Sequence, residues 1–170
     1  LKECYLIGTS MGGFMAMTMS AKNSVFFPKI VLNDCGPEIH QVGIDKISTY
    51  LGKNESFESI DEAVAILKAR HESNFPLLTD TDWKRYCMNN LKINEDHSYN
   101  FDYDQNIRVV YETAKLNLGD MWNVWEEINS NIFIIRGALS QLLSESTFKK
   151  MQAKENVISI EIPDTGHAPV

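Results

Sequence analysis

Four short, mostly apolar runs divide the chain, and together they predict the strands of one buried sheet. They cover residues 4–7, 29–33, 131–136 and 157–162. None alternates strictly between apolar and polar positions, which is typical of strands covered on both faces of a parallel sheet. The hydrophobic pattern therefore predicts an α/β protein with a mostly parallel sheet.

Helical spacing of apolar residues fills the intervals between these runs. Residues 11–22 and 144–154 predict helices that pack on the sheet. Between positions 38 and 118 no buried strand pattern occurs, whereas a capping box at 59–62 marks the start of a helix. The stretch 97–104 alternates aromatic with polar residues and predicts one short extended piece. The long middle segment is therefore expected to be a mainly helical insertion.

Charge and composition exclude several classes of function. The formal charge of −7 gives no basic face for nucleic acid. No apolar stretch approaches the roughly 20 residues that span a membrane. Cys4, Cys35 and Cys87 are odd in number and widely spaced, which disfavours a disulfide framework or a structural zinc site and favours a reducing, cytoplasmic setting. We expect no metal and no cofactor, and the oligomeric state stays open.

A G-x-S-x-G pentapeptide at residues 8–12 follows the first apolar run directly. A strand that breaks at a glycine and turns into a helix presents the intervening serine at an exposed, strained corner. Ser10 is thus a candidate nucleophile, and the backbone N–H of Met11 is a candidate oxyanion donor. The alternative is a glycine-rich turn that contains a buried serine.

A histidine follows the last predicted strand. His167 comes after Gly166 in a turn, so it lies on a loop at a strand end. If the strands are parallel, this loop lies at the same sheet edge as Ser10, and His167 is the favoured general base. The alternative is a surface histidine without a chemical role.

These features together resemble the α/β-hydrolase family, whose members order their catalytic residues as serine, acid and histidine. Residues 132–143 look like the family's penultimate strand with its acid loop, and residues 30–37 resemble the strand after the nucleophile helix. Within the family, the chain is most similar to lidded carboxylesterases, lactonases and meta-cleavage C–C bond hydrolases. The resemblance implies a three-layer α/β-hydrolase fold with an inserted helical cap.

The resemblance also implies an organisation in three parts. Residues 1–37 would hold the nucleophile strand, the elbow, its helix and the following strand. Residues 38–118 would form the helical cap. Residues 119–170 would supply the last two core strands, with the acid and histidine loops.

The acid position departs from the family's pattern. The resemblance predicts an aspartate at position 141, where this chain has Gln141. A carboxylate there holds the histidine in the correct tautomer, whereas an amide can also donate and hold the wrong one. Asp34 is a candidate substitute, because it too lies at the carboxyl end of a predicted strand. A capping role is the more ordinary function for such an aspartate.

The beginning of the chain departs as well. The family has four strands before the nucleophile strand, and a loop among them supplies the second oxyanion N–H. The resemblance therefore implies a C-terminal half of a longer enzyme, with the N-terminal half of the same protein as its partner. Without that half, the nucleophile strand should form an unpaired, apolar sheet edge.

Two functions follow. The first is a serine hydrolase that cleaves an ester, lactone or activated C–C bond of a small, fairly apolar substrate, with Ser10, His167 and the N–H of Met11 as its machinery. The second is a catalytically impaired fragment or pseudo-enzyme of the same fold, which Gln141 and the absent first half favour.

Overall fold

The computed structural model describes residues 2–109, 112, 120–167 and 169. In chain order its elements are β1 (Tyr5–Thr9), α1 (Met11–Lys22), β2 (Lys29–Asn33), α2 (Gln41–Ser48), β3 (Ser56–Phe57), α3 (Ile60–His71), a 3₁₀ turn (Glu72–Asn74), α4 (Asp80–Asn90), β4 (Leu91–Ile93), β5 (Tyr99–Phe101), α5 (Trp122–Glu127), β6 (Asn131–Gly137), α6 (Glu145–Met151) and β7 (Val157–Ile162). The boundary expected between residues 118 and 119 lies outside the described residues.

The main sheet has four strands in the order β1-β2-β6-β7, and every neighbouring pair is parallel. This confirms the α/β class and the parallel sheet. Strands β2 and β7 have the predicted bounds. Strand β1 runs two residues further than predicted, because Gly8 and Thr9 still pair with Leu32 and Asn33. The carboxyl ends of all four strands consequently lie at one edge, which places the loops after them side by side.

One hydrophobic core packs helices against this sheet. Leu32 and Ile134 point from adjacent strands into it and are fully buried, together with Met17 of α1 and Trp125 of α5. Each large apolar side chain buried in this way contributes about 1.5–3 kcal/mol to folding. The core therefore fixes the strand ends on which the candidate chemistry depends.

The insertion has a second core of its own. Phe57, Ala63, Leu67, Trp83 and Cys87 are buried together between α3, α4 and a small sheet. That sheet is antiparallel, with the strand order β3-β5-β4.

The insertion was expected to be mainly helical with one extended piece, and the described residues add two further short strands, β3 and β4. Strands of two or three residues are too short to show a period of two in the sequence. The extended piece predicted within 97–104 corresponds to β5.

Side chains cap two helices of the insertion. Ser59 Oγ accepts a hydrogen bond from the Glu62 amide at 3.1 Å, while Glu62 accepts from the amide of Glu58. The reciprocal capping box forms instead between Thr79 and Asp82, at the start of α4. Within the described part of the chain, no helix is long and apolar enough to cross a membrane.

Candidate active site

Ser10 occupies the sharp turn between β1 and α1. Its backbone has φ 53° and ψ −121°, a conformation that L residues rarely adopt. Its carbonyl accepts hydrogen bonds from the amides of Gly13 and Phe14, at 2.9 and 3.3 Å, so the turn is held by the first turn of the helix. Met11 begins α1, and the first amides of a helix have no acceptor within it. The serine therefore stands at the positive end of a helix, in a strained corner.

Close packing explains which glycines this turn needs. A Cβ on Gly8 would lie 2.4 Å from the carbonyl oxygen of Gly12, and one on Gly13 would lie 1.8 Å from Cys35 Sγ. A Cβ on Gly12 would meet no atom within 4 Å. Gly8 and Gly13 are thus required by close approach, whereas the second glycine of the pentapeptide has free space.

Asp34 follows β2 directly and is fully buried. Its backbone also has positive φ, 50°, and its amide donates to the Ile135 carbonyl at 2.7 Å. Its Oδ1 accepts from the amide of Gly137 at 3.0 Å. Its Oδ2 accepts from Ser140 Oγ at 2.5 Å and contacts His167 Nδ1 at 2.8 Å. Three partners, from the end of β6, the loop after it and the loop after β7, satisfy a buried carboxylate that would otherwise be costly to desolvate.

The contact with Asp34 decides the role of each nitrogen of His167. An ionised carboxylate only accepts hydrogen bonds, so Nδ1 must donate. In the neutral ring, Nε2 then carries the free lone pair. This is the tautomer that a general base needs in order to take a proton from a serine hydroxyl.

Ser10, Asp34 and His167 line one cavity of about 260 Å³ at the carboxyl edge of the main sheet. Its surface is almost wholly apolar. Most of the wall is aliphatic or aromatic. These residues come from α1, from the insertion and from the loop after β6: Met11, Phe14, Ile39, Ile44, Ile47, Leu51, Ile107 and Leu142.

Known proteins share this architecture. A crystal structure of an α/β hydrolase from Novosphingobium aromaticivorans superimposes with a TM-score of 0.84 at 29% identity, over 99% of this chain and 60% of that one. The chain has the α/β-hydrolase fold. A meta-cleavage product hydrolase from Pseudomonas fluorescens shares the α/β-hydrolase fold at a TM-score of 0.64 and 12% identity, over 98% of this chain and 58% of that one.

A further relative is evident from sequence. The 3-hydroxybutyrate-oligomer hydrolase of Cupriavidus necator is 30% identical over 171 residues, which cover 95% of this chain and 58% of that protein. The chain thus spans less than two thirds of the length of these relatives. No family model matches it.

The α/β-hydrolase acid loop after β6 differs from the expectation. Gln141 is exposed, and within the described residues its side chain makes no hydrogen bond. The imidazole contacts Asp34 instead, and Asp34 also accepts from Gly137 and Ser140 in the way a loop-capping aspartate would. Leu142 and Leu143 turn inward, and their amides both donate to Ser140 Oγ at 3.1 Å, which directs that hydroxyl at Asp34. The loop supplies a hydrogen-bond donor, the hydroxyl of Ser140, to the carboxylate of Asp34.

Gly137 and Ser140 are site residues that sequence reasoning did not identify. Ser140 directly precedes the expected acid position, but a lone serine in a loop gives no signal of its own. For metals, the described residues contain no group of three or more histidine, cysteine, aspartate or glutamate side chains that could hold an ion.

Cys35 lies beside Ser10 in this α/β-hydrolase site and should be chemically inert. Burial and the neighbouring charge of Asp34 raise the pKa of the thiol to about 12. Because the thiolate is the reactive form, we expect iodoacetamide at pH 8 to modify the partly exposed Cys4 in the folded chain and to spare Cys35. Mass spectrometry of the alkylated peptides would measure this. Unfolding in guanidinium is the control and should expose all three cysteines, and rapid modification of Cys35 in the folded chain would contradict the expectation.

Proposed function

We propose that the protein is a serine hydrolase in which Ser10 is the nucleophile, His167 the general base and Asp34 the acid. The observation that carries the proposal is the buried hydrogen bond between Asp34 and His167, in a cavity that Ser10 also lines. The backbone N–H of Met11, at the first position of α1, is proposed as an oxyanion donor.

The reaction follows the chemistry of these groups. The hydroxyl of Ser10 attacks the substrate carbonyl while its proton passes to Nε2 of His167. The imidazolium, which Asp34 stabilises, then protonates the leaving group, and an acyl-enzyme remains. A water molecule activated by the same imidazole hydrolyses the acyl group and regenerates the serine.

The exposed glutamine at position 141 was one of two arguments for an impaired enzyme, the other being the absent first half. The contacts of Asp34 remove the first argument, because a carboxylate is hydrogen-bonded to the imidazole without any contribution from position 141. The catalytic function is therefore favoured over the pseudo-enzyme.

The cavity wall supports a small apolar substrate. Among the described residues that line it, most are apolar, two are the carboxylates Asp34 and Glu38, and none is a lysine or arginine, so a neutral aliphatic acyl group fits better than one with a carboxylate. The name of the Cupriavidus relative points to esters of a short hydroxy acid. We therefore propose an ester of a short aliphatic acid as the substrate class, ahead of a lactone or an activated C–C bond.

This preference is testable at Ile47, which lines the cavity from α2. With p-nitrophenyl esters we expect kcat/KM for butyrate to exceed that for the anionic succinate half-ester by tenfold or more, since the cavity would leave a carboxylate unpaired. Ile47→Arg should narrow or reverse this ratio. Val42→Arg, at a half-exposed position of the same helix outside the cavity wall, is the control and should leave it unchanged. Equal rates for both esters in the unaltered protein would contradict the proposed substrate class.

We propose that residues 38–118 act as the cap over this cavity. Ile44 and Ile47 of α2, with Leu51 and Ile107, supply wall residues opposite the turn that carries Ser10. A cover of this kind excludes water from the reacting centre. The separate core of the insertion supports the proposal, because a unit with its own packing can hold its shape over an opening.

The experiment that tests the proposed function uses covalent labelling. A fluorophosphonate probe should label the protein once, and mass spectrometry should place the label on Ser10. An activated ester should give a product burst that matches the enzyme concentration. Both measurements are made on the chain alone and on the chain joined to the residues encoded before position 1. Absence of label and burst in both forms would refute the hydrolase.

We further propose that a preceding segment of the protein covers one face of the fold. Ile7 on β1 is 78% exposed, and Met11, Met15 and Met19 follow at helical spacing on α1 and are also exposed. Within the described strands, β1 pairs on one side only. Apolar surface on an open sheet edge is typical of a docking site. The relatives, of which this chain spans 58–60%, have the length to supply such a segment.

A charged side chain introduced on this face should therefore weaken its association with other apolar surfaces. The chain alone is expected to bind a hydrophobic dye, and Ile7→Lys or Met15→Lys should lower dye binding and light scattering. In the chain joined to its upstream residues, the same changes should instead lower the melting temperature. Leu77→Lys, at an exposed apolar position in the insertion, is the control. A discrete dimer that Ile7→Lys dissociates would contradict the proposal and assign the face to a second copy.

A further inference from the structure

The loop that carries His167 is fastened to the insertion. The amide of His167 donates to Oδ1 of Asn74 at 3.0 Å, and the amide of Gly166 donates to the carbonyl of Ser73 at 2.9 Å. Ser73 and Asn74 belong to the 3₁₀ turn that follows α3. The two segments are 93 residues apart in sequence.

Gly166 is what allows the approach. A Cβ at this position would lie 2.4 Å from Asn74 Oδ1 and 2.9 Å from the carbonyl oxygen of Ser73. A side chain at position 166 would collide with these atoms. Glycine has no Cβ, so the backbone of Gly166 can approach the backbone of Ser73 and Asn74. The contact therefore needs both the glycine at position 166 and the side-chain amide oxygen of Asn74.

The two anchors of His167 act on different parts of the residue. Asp34 holds the imidazole through Nδ1, and Asn74 holds the backbone through the amide. A hydrogen bond to the ring alone leaves the ring free to pivot about Nδ1. The second anchor fixes the Cα from which the ring projects, and therefore the position of Nε2.

We propose that Asn74 is a positioning residue for the general base, so that the insertion sets the catalytic geometry as well as the cavity wall. The inference rests on the proposed hydrolase function. A misplacement of about 1 Å at a reacting group can lower a rate about 10²-fold. Loss of the Asn74 contact should act in this way on kcat, with little change in KM because Asn74 does not line the cavity.

Three variants separate positioning from general disruption. Asn74→Ala removes the acceptor, and kcat should fall 10- to 100-fold. Asn74→Asp keeps an acceptor at the same place and should restore most of kcat. Its added negative charge favours the protonated imidazole, so the acidic limb of the pH–rate profile should move to higher pH. Ser73→Ala is the matched control, because Ser73 bonds through its backbone carbonyl, and it should behave like the unaltered protein.

A readout independent of turnover completes the test. Hydrogen exchange at the His167 amide should be faster in Asn74→Ala than in Asn74→Asp or Ser73→Ala. If Asn74→Ala keeps full kcat and an unchanged exchange rate, the inference is overturned. An Asp variant as slow as the Ala variant, with equally fast exchange, would also overturn it. Failure of the unaltered protein to react with the fluorophosphonate would refute the hydrolase separately, because the exchange measurement does not need activity.

Discussion

Ser10→Ala is expected to abolish formation of the acyl-enzyme and to lower kcat by about 10⁶, as removal of the nucleophile does in other serine hydrolases. The substitution removes one oxygen and keeps the Cβ, so the strained turn at φ 53° should persist. The neighbouring hydroxyl of Thr9, at the end of β1, accepts a hydrogen bond from Asn33 Nδ2 at 3.0 Å, and Thr9 does not line the cavity. Burst amplitude and fluorophosphonate labelling measure the effect.

The control for this change lies on the same helix. Thr18 Oγ1 donates to the carbonyl of Phe14 at 2.9 Å, within α1, and takes no part in the cavity. Thr18→Ala should keep the burst and the label. Residual labelling of Ser10→Ala at the level of Thr18→Ala would show that the probe reacts elsewhere, and Ser10 would lose its role.

Asp34→Asn should give the second largest effect, a loss of about 10⁴ in kcat. An amide in place of the carboxylate can present its NH₂ to His167 Nδ1, which then becomes an acceptor. The ring would carry its proton on Nε2 and could not accept the proton of Ser10. Steady-state kinetics with an activated ester measure the loss, and circular dichroism checks the fold.

Position 141 provides the matched comparison for the acid. Gln141→Ala and Gln141→Asp should both leave kcat unchanged, because the side chain is exposed and the imidazole is hydrogen-bonded to Asp34. A tenfold gain from Gln141→Asp, together with a small loss from Asp34→Asn, would return the acid to the loop after β6.

Local signals in the sequence were enough for the core of the fold. Buried parallel strands are continuous apolar runs, so β2 and β7 could be placed to the residue. The turn at Ser10 is equally local, because the glycine at position 8 and the strand before it dictate its shape. These elements are specified by residues adjacent in the chain.

The choice between Asp34 and Gln141 could not be made in this way. Both follow strands whose ends lie at the same edge, so topology alone allows either to face His167. What decides is the direction in which each loop leaves its strand. Asp34 turns inward at φ 50°, whereas the loop after β6 buries Leu143 and leaves position 141 outside. Such directions depend on packing between segments about a hundred residues apart.

The arrangement of Asp34 has a consequence for genome surveys of hydrolases. Its carboxylate follows β2 and contacts the end of β6, the loop after β6 and the loop after β7, so it lies between all three strand ends. Automated screens that require an acidic residue after the penultimate strand would classify this chain as inactive. A screen that instead asks which carboxylate touches the imidazole would retain it, and other supposedly dead homologues with the same exchange could be recovered by that criterion.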